Sequence, residues 1–181
     1  MKALHAVPKK DNTPLMDSPD HPYPVPIEGN FYEADFLPAH DLDTMLRTLI
    51  ARHDTLFSHL VNLDIVCLWK AKGGASKGKP TLGKVQVATG LVGFFSEANF
   101  VIWLAADHLR AGHATAKVVE ACLFHEMCHI GSDGQDGKAM IVGHDIEAFT
   151  EEIKQFGWWK TDLQKFAQTM RQLNFFEEES K

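Results

Sequence analysis

The pattern His-Glu-x-x-His at residues 125–129 constrains this chain more than any other feature of its sequence. On an α-helix, residues four apart lie about 40° apart around the axis, so His125 and His129 point the same way, one turn apart. Two imidazoles in this arrangement can bind one tetrahedral Zn²⁺ ion, each at ~2.0–2.1 Å. Beside them, the carboxylate of Glu126 can reach a water molecule on the metal and act as a general base. The pattern therefore predicts a helix that forms part of a zinc site.

The residues around the motif are typical of a buried helix. Residues 115–124 contain neither proline nor glycine. Apolar residues recur at helical spacing on the side away from the histidines, at Val119, Leu123, Met127 and Ile130. Gly131 follows, where a glycine in the left-handed conformation commonly ends a helix. The alternative is a core helix in which two histidines fall at this spacing by chance.

A third metal ligand is expected beyond the motif, because catalytic zinc usually has three protein ligands and an open position for water. His144 and Glu147 are the candidates. They are three residues apart at the start of the next predicted helix, so both could face one point. We favour His144, because imidazole is the commoner partner. Glu147 is the alternative ligand, and otherwise a group that orients a ligand ring.

Length and composition predict one soluble globular domain. The chain has 181 residues, 45% of them hydrophobic, and a net charge of −6, so no overall basic field draws it to nucleic acid or membrane. It shows no signal-peptide pattern and no apolar run of about 18 residues that would span a bilayer. Its three cysteines, Cys67, Cys122 and Cys128, are scattered in apolar segments. We expect them to be reduced, buried thiols in a cytoplasmic protein.

Proline and charge divide the chain into three parts. Residues 1–30 contain six of the eight prolines, which predicts an extended or disordered leader. We expect a single domain over residues 31–175 and an acidic tail over residues 176–181. A plain linker is favoured for the leader over a Pro-rich recognition tail.

Hydrophobic periodicity predicts an α+β fold. A small sheet of three to four strands packs on the motif helix and on additional helices. The predicted strands cover residues 60–70, 81–89, 99–105 and 138–142, and the predicted helices cover 39–58, 115–130, 143–156 and 161–173. Residues 90–96 are expected to form a loop or a short apolar segment. The strand 99–105 is the expected sheet edge along which a peptide could lie.

Five lysines cluster in and around a Gly-rich loop, at Lys70, Lys72, Lys77, Lys79 and Lys84. This local basic patch could make weak nucleic-acid contact. We favour the alternative, a solvated hairpin tip. The loop lacks the spacing of a phosphate-binding P-loop.

The order of these features resembles the putative phage metallopeptidases, small zincin-like proteins related in outline to SprT-like metalloproteases. The resemblance covers roughly residues 60–158 and is carried by the strand at 99–102, the motif helix and the later Gly143-His144-Asp145-x-Glu147-x-Phe149. It implies a minimal zincin-like fold, with His125, His129 and His144 as zinc ligands and Glu126 as catalytic base. A phage-encoded protein of this kind would act in the cytoplasm of the bacterial host. Phe149 follows His144 by five residues, whereas SprT-like proteins have an aromatic residue four after their third histidine.

Two functional hypotheses follow. The first is a zinc-dependent metallopeptidase that hydrolyses peptide bonds by metal-activated water, with Glu126 as general base and a peptide or protein as substrate. The second is a catalytically silent, zinc-containing binding module that inhibits a host protein or contacts nucleic acid. The substitution Glu126→Gln separates them, because only the first function needs the carboxylate.

Overall fold

The structure is a computed structural model, and it describes residues 21–76, 78–132, 138–144, 149–161, 163–168 and 171. The strands are β1 Phe36–Pro38, β2 Ile65–Lys70, β3 Ala75–Ser76, β4 Lys79–Pro80, β5 Gly83–Val87, β6 Phe100–Ala105, β7 Ile130–Ser132 and β8 Ala139–Ile141. The α-helices are α1 His40–Arg52, α2 Asp54–Phe57, α3 Gly90–Ser96, α4 Ala106–Ala111, α5 Ala116–Cys128 and α6 Thr150–Phe156. Residues 161, 163–168 and 171 are also helical.

Four strands form one sheet in the order β1-β2-β6-β5. β2 and β6 run parallel, whereas β1 and β5 are antiparallel to their neighbours. All six residues of β6 are buried, because strands flank it on both sides and helices pack on the sheet. Two further antiparallel pairs, β3–β4 and β7–β8, lie outside this sheet. The predicted α+β class, with a small sheet packed on the motif helix, is confirmed.

The core lies between this sheet and the helices α1 and α5. In α1 the buried residues Leu42, Met45, Leu46 and Leu49 recur at the helical period that the sequence shows. In α5, Val119, Leu123 and Met127 have no exposed surface. Both helices therefore lie within the predicted ranges, because their apolar residues lie on a face that the sheet covers. The predicted helix 39–58 is divided at His53 into α1 and the short helix α2.

The motif helix ends earlier than its glycine predicts. α5 stops at Cys128, and Gly131 lies within β7 and not at a left-handed helix cap. A Cβ atom at Gly131 would meet a Cγ of Val142 at 2.7 Å. The glycine therefore allows β7 and the chain after β8 to approach each other closely, which the sequence does not reveal.

Other elements also differ from the prediction. The structure has a helix, α3, at residues 90–96, and an unpredicted strand, β1, which is too short to show an alternating pattern. The helix expected from Gly143 begins at Thr150, and His144 lies in the loop after β8. A hydrogen bond from the Val142 N–H to the His129 carbonyl (2.8 Å) ties the start of that loop to the end of α5.

Part of the predicted leader lies within the described residues. The Tyr23 N–H donates to the Ala114 carbonyl at 2.7 Å, and Val25 and Phe31 are buried. The Arg110 guanidinium donates to the Pro26 carbonyl. Residues 21–31 therefore pack against the region where α4 leads into α5. Residues 1–20 and the predicted tail 176–181 lie outside the described residues, and the predicted domain boundaries stay predictions.

The three cysteines form no disulfide; Cys67 and Cys122 are buried and Cys128 is partly buried. Burial raises the pKa of the Cys122 and Cys128 thiols to about 12, so both are protonated at neutral pH. No helix in the described part of the chain is long and apolar enough to cross a bilayer.

Candidate metal centre

Three imidazole rings converge at the end of α5. His125 occupies the last turn of this helix, His129 is its C-terminal cap residue, and His144 comes from the loop after β8. The Nε2 atoms of His125 and His144 are 2.9 Å apart. Each ring offers one nitrogen, and the three nitrogens lie within 4.8 Å of one another.

This arrangement fits a divalent metal ion. Nitrogens bound at ~2.0–2.1 Å around a tetrahedral ion are about 3.4 Å apart. The Nε2 atoms of His125 and His144 are 2.9 Å apart, and all three nitrogens lie within 4.8 Å of one another, so their spacing is of this order. Three imidazoles form a donor set that suits first-row divalent ions, zinc among them.

Hydrogen bonds orient two of the rings toward the point of convergence. The His129 Nδ1 lies 2.6 Å from the Val142 carbonyl oxygen, and the His125 Nδ1 lies 2.6 Å from Glu152 Oε2. A carbonyl and an ionised carboxylate only accept, so in both rings Nδ1 carries the hydrogen. The lone pair of Nε2 is then free to bind a metal. Burial lowers the pKa of His129, which favours the neutral, metal-binding ring.

Phe149 packs against all three imidazoles. Its ring centroid lies 4.8 Å from that of His129 and 5.5 Å from those of His125 and His144. The residue is 6% exposed. Phe149 therefore supports the cluster from one side and restricts how far the rings can turn. Its position next to the N-terminus of α6 brings that helix to the site.

Glu126 lies on the flank of α5 that faces β5. It is 6% exposed, and the Val85 N–H donates to its carboxylate. Burial raises the pKa of Glu126 to about 7, against the opposing effects of Lys160 and of this hydrogen bond. A cation bound by the three histidines would lower this pKa, because positive charge favours the carboxylate form.

The alternation of hydrogen bonds along β5 explains why the Val85 N–H is available. The Ala88 N–H donates to the Asn99 carbonyl, and the Ala105 N–H donates to the Leu82 carbonyl. Residues 82, 84, 86 and 88 therefore bond to β6, and the backbone groups of residues 83, 85 and 87 point away from it. β5 is thus the edge strand beside the motif. The expectation that strand 99–105 forms this edge is wrong, because β6 has a strand on each side.

Some predicted residues lie outside the described part of the chain. Glu147, the alternative third ligand, is one of them, and Lys77 of the lysine cluster is another.

Two described lysines of the cluster lie near Trp103. The Lys70 Nζ is 4.4 Å from the centre of the Trp103 ring, close enough for a cation–π interaction. Lys84 is exposed on β5, opposite Trp103. Neither contact tests whether the lysine cluster binds nucleic acid, so this binding stays a prediction.

Sequence reasoning missed Glu152, which hydrogen bonds to His125 and is fully buried. The sequence around α6 does indicate a buried carboxylate, because Phe149, Glu152 and Phe156 recur at helical spacing. A carboxylate between two phenylalanines on one helix face points inward and needs a buried partner. The missing information was the identity of that partner, which lies 27 residues away.

Comparison with known proteins agrees with this geometry. The family described as putative phage metallopeptidase matches residues 34–171, which include α1, the whole sheet, the three histidines and Glu152. No curated protein and no solved structure matches the chain.

Proposed function

Because the chain belongs to the putative phage metallopeptidase family, we propose that it is a zinc-dependent metallopeptidase whose ion is held by His125, His129 and His144. The observation that supports this most directly is the convergence of three imidazole nitrogens within 4.8 Å, next to the buried carboxylate of Glu126. Protein or peptide substrates follow from the family.

In the proposed hydrolysis, the metal ion and the side chains of the protein have separate roles. When bound, zinc lowers the pKa of a water molecule toward ~7 and polarises the carbonyl of the substrate. Glu126 would act as the general base, taking a proton from the attacking water, and would then deliver that proton to the leaving amine. The Val85 N–H bonds to Glu126 and holds its carboxylate between α5 and β5. His125 and His129 donate their Nδ1 hydrogens to Glu152 and to the Val142 carbonyl, which leaves the Nε2 atom of each ring for the ion.

The substrate is proposed to lie along β5. Backbone groups of residues 83 and 87 point away from β6 on the same edge as the Val85 N–H. An extended peptide can add to such an edge by backbone hydrogen bonds. The peptide bond to be cleaved would then lie close to Glu126, which contacts β5 at Val85.

The substitution Glu126→Gln tests this function. Gln has the same shape but cannot accept the proton, so we expect cleavage of an unfolded protein such as casein to fall by ~10²–10⁴-fold. Zinc content, measured by atomic absorption, should be unchanged. Glu151→Gln, at a solvent-facing position of α6, is the matched control and should keep full activity.

Three outcomes would count against the proposal. Equal proteolysis by the wild type and Glu126→Gln would remove the catalytic role of this carboxylate. Absence of stoichiometric metal in protein prepared without chelators would remove the metal site. Inhibition of a partner protein that survives Glu126→Gln would favour the silent binding module instead.

A further inference from the structure

Glu152 is surrounded by hydrogen-bond donors from three parts of the chain. It has no exposed surface. Its Oε2 lies 2.6 Å from the His125 Nδ1 and 3.4 Å from the Phe149 backbone nitrogen. Its Oε1 accepts from the Trp159 Nε1 and lies 3.6 Å from the Lys160 Nζ. The carboxylate thus joins α5, the start of α6 and the segment after α6.

A buried carboxylate is costly unless its charge is compensated. The groups next to the Glu152 oxygens are the His125 Nδ1, the Phe149 backbone N–H, the Trp159 Nε1–H and the Lys160 ammonium, which all donate hydrogen bonds or carry positive charge. These surroundings fit an ionised carboxylate, which only accepts. Lys160 provides the compensating positive charge, and it also lies 3.2 Å from the His125 Nδ1.

The two helical histidines therefore have unequal partners. The Nδ1 hydrogen of His129 is donated to a neutral backbone carbonyl, and that of His125 to an ionised carboxylate. A hydrogen bond to an ionised acceptor is roughly twice as strong as one to a neutral acceptor. The stronger bond fixes the orientation of the His125 ring more firmly and makes its Nε2 a better electron donor.

We propose that Glu152, held in place by Trp159 and Lys160, is the positioning residue of the metal centre and sets its affinity for zinc through His125. The proposal rests on the zinc site of the proposed function. It assigns to Glu152 the orienting role that Glu147 was expected to have. Glu152 itself does not touch the substrate or the metal.

Zinc affinity of Glu152→Gln tests this role. Gln keeps the size and one accepting oxygen but loses the charge, so we expect zinc to bind ~10–100-fold more weakly, as for other groups that orient metal ligands. The measurement is competition with a chromogenic chelator, which does not depend on activity. Glu151→Gln, the neighbouring carboxylate that pairs with Lys154 at 3.7 Å, is the matched control and should bind zinc as the wild type does.

A second variant separates an effect on zinc binding from an effect on folding. Trp159→Phe removes one hydrogen bond to Glu152 and leaves the charge in place, so zinc binding should weaken in the same direction but less. The melting temperature of the zinc-free protein is measured for each variant, since a merely structural role would lower it and leave zinc affinity unchanged. Wild-type zinc affinity in Trp159→Phe and in folded Glu152→Gln would overturn the proposal. Failure of the wild type to bind zinc would instead overturn the site as a whole.

Discussion

At the scale of single residues, the three histidines are held by different means. His125 and His129 are fixed relative to each other by one helical turn, and each has an acceptor for its Nδ1 hydrogen. His144 belongs to a loop that the Val142 backbone bond ties to His129, and its ring packs against Phe149. The family match covers all three positions, and their roles as metal ligands are predictions.

Replacement of His144 by Ala should weaken zinc binding more than any change to an orienting group. It removes one of three donors, so the expected loss exceeds the ~10–100-fold seen for outer partners of a metal ligand. Zinc content after dialysis measures it. His40→Ala is the control, because the His40 side chain is 92% exposed and lies at the start of α1. Stoichiometric zinc in dialysed His144→Ala would assign the third ligand to another residue, with Glu147 the first candidate.

At the scale of elements, the contact between α5 and β5 decides where the Glu126 carboxylate lies. Gly83 makes this contact close: a Cβ atom there would come within 2.7 Å of Leu104 Cδ2 and 3.0 Å of Glu126 Oε1. Both atoms are at the ends of side chains, so the fold can adjust by moving them. Gly83 therefore allows the carboxylate of Glu126, the proposed general base, to lie against the edge strand.

Gly83→Ala should lower proteolysis while zinc still binds. The added methyl group displaces the Glu126 carboxylate and crowds Leu104, at a cost to stability of ~1–3 kcal/mol. Initial rates on casein and chelator competition measure the two effects separately. Gly29→Ala is the control, since a Cβ atom there meets nothing within 4 Å. Full activity in Gly83→Ala would show that the approach of Glu126 to β5 does not matter for catalysis.

At the scale of the whole molecule, the candidate site joins segments that are distant in sequence. α5 provides two histidines and Glu126, the loop after β8 provides His144, and α6 provides Glu152. A metal ion held by His125, His129 and His144 would link α5 to that loop. Binding to the folded chain alone would stabilise it, because the unfolded chain does not bring these residues together.

Removal of zinc should therefore lower the melting temperature. At a free zinc concentration 100 times the dissociation constant, the stabilisation is ~2.7 kcal/mol. Calorimetry with zinc and with excess chelator measures the difference. Glu126→Gln should keep this difference, because it retains the three histidines, and His144→Ala should lose most of it. An equal melting temperature in zinc and in chelator would show that the ion does not bind the folded state.

The amino-acid sequence by itself determined the elements whose signal is local. The buried helices α1 and α5 and the strands β2, β5 and β6 follow from runs and periodicities that the structure reproduces, and the α+β class follows from their order. Such patterns are readable because each residue's contribution depends on neighbours a few positions away. The proximity of His125 and His129 can also be predicted from local sequence, since a helix alone brings residues four apart together.

Only the tertiary structure decided the features that depend on distant partners. These are the edge position of β5, the place of Gly131 in a strand, the loop that contains His144, and the pairing of His125 with Glu152. Each of these features depends on which backbone or side-chain group the folded chain brings next to the residue. That information is spread over residues far apart in the chain, so no local pattern contains it.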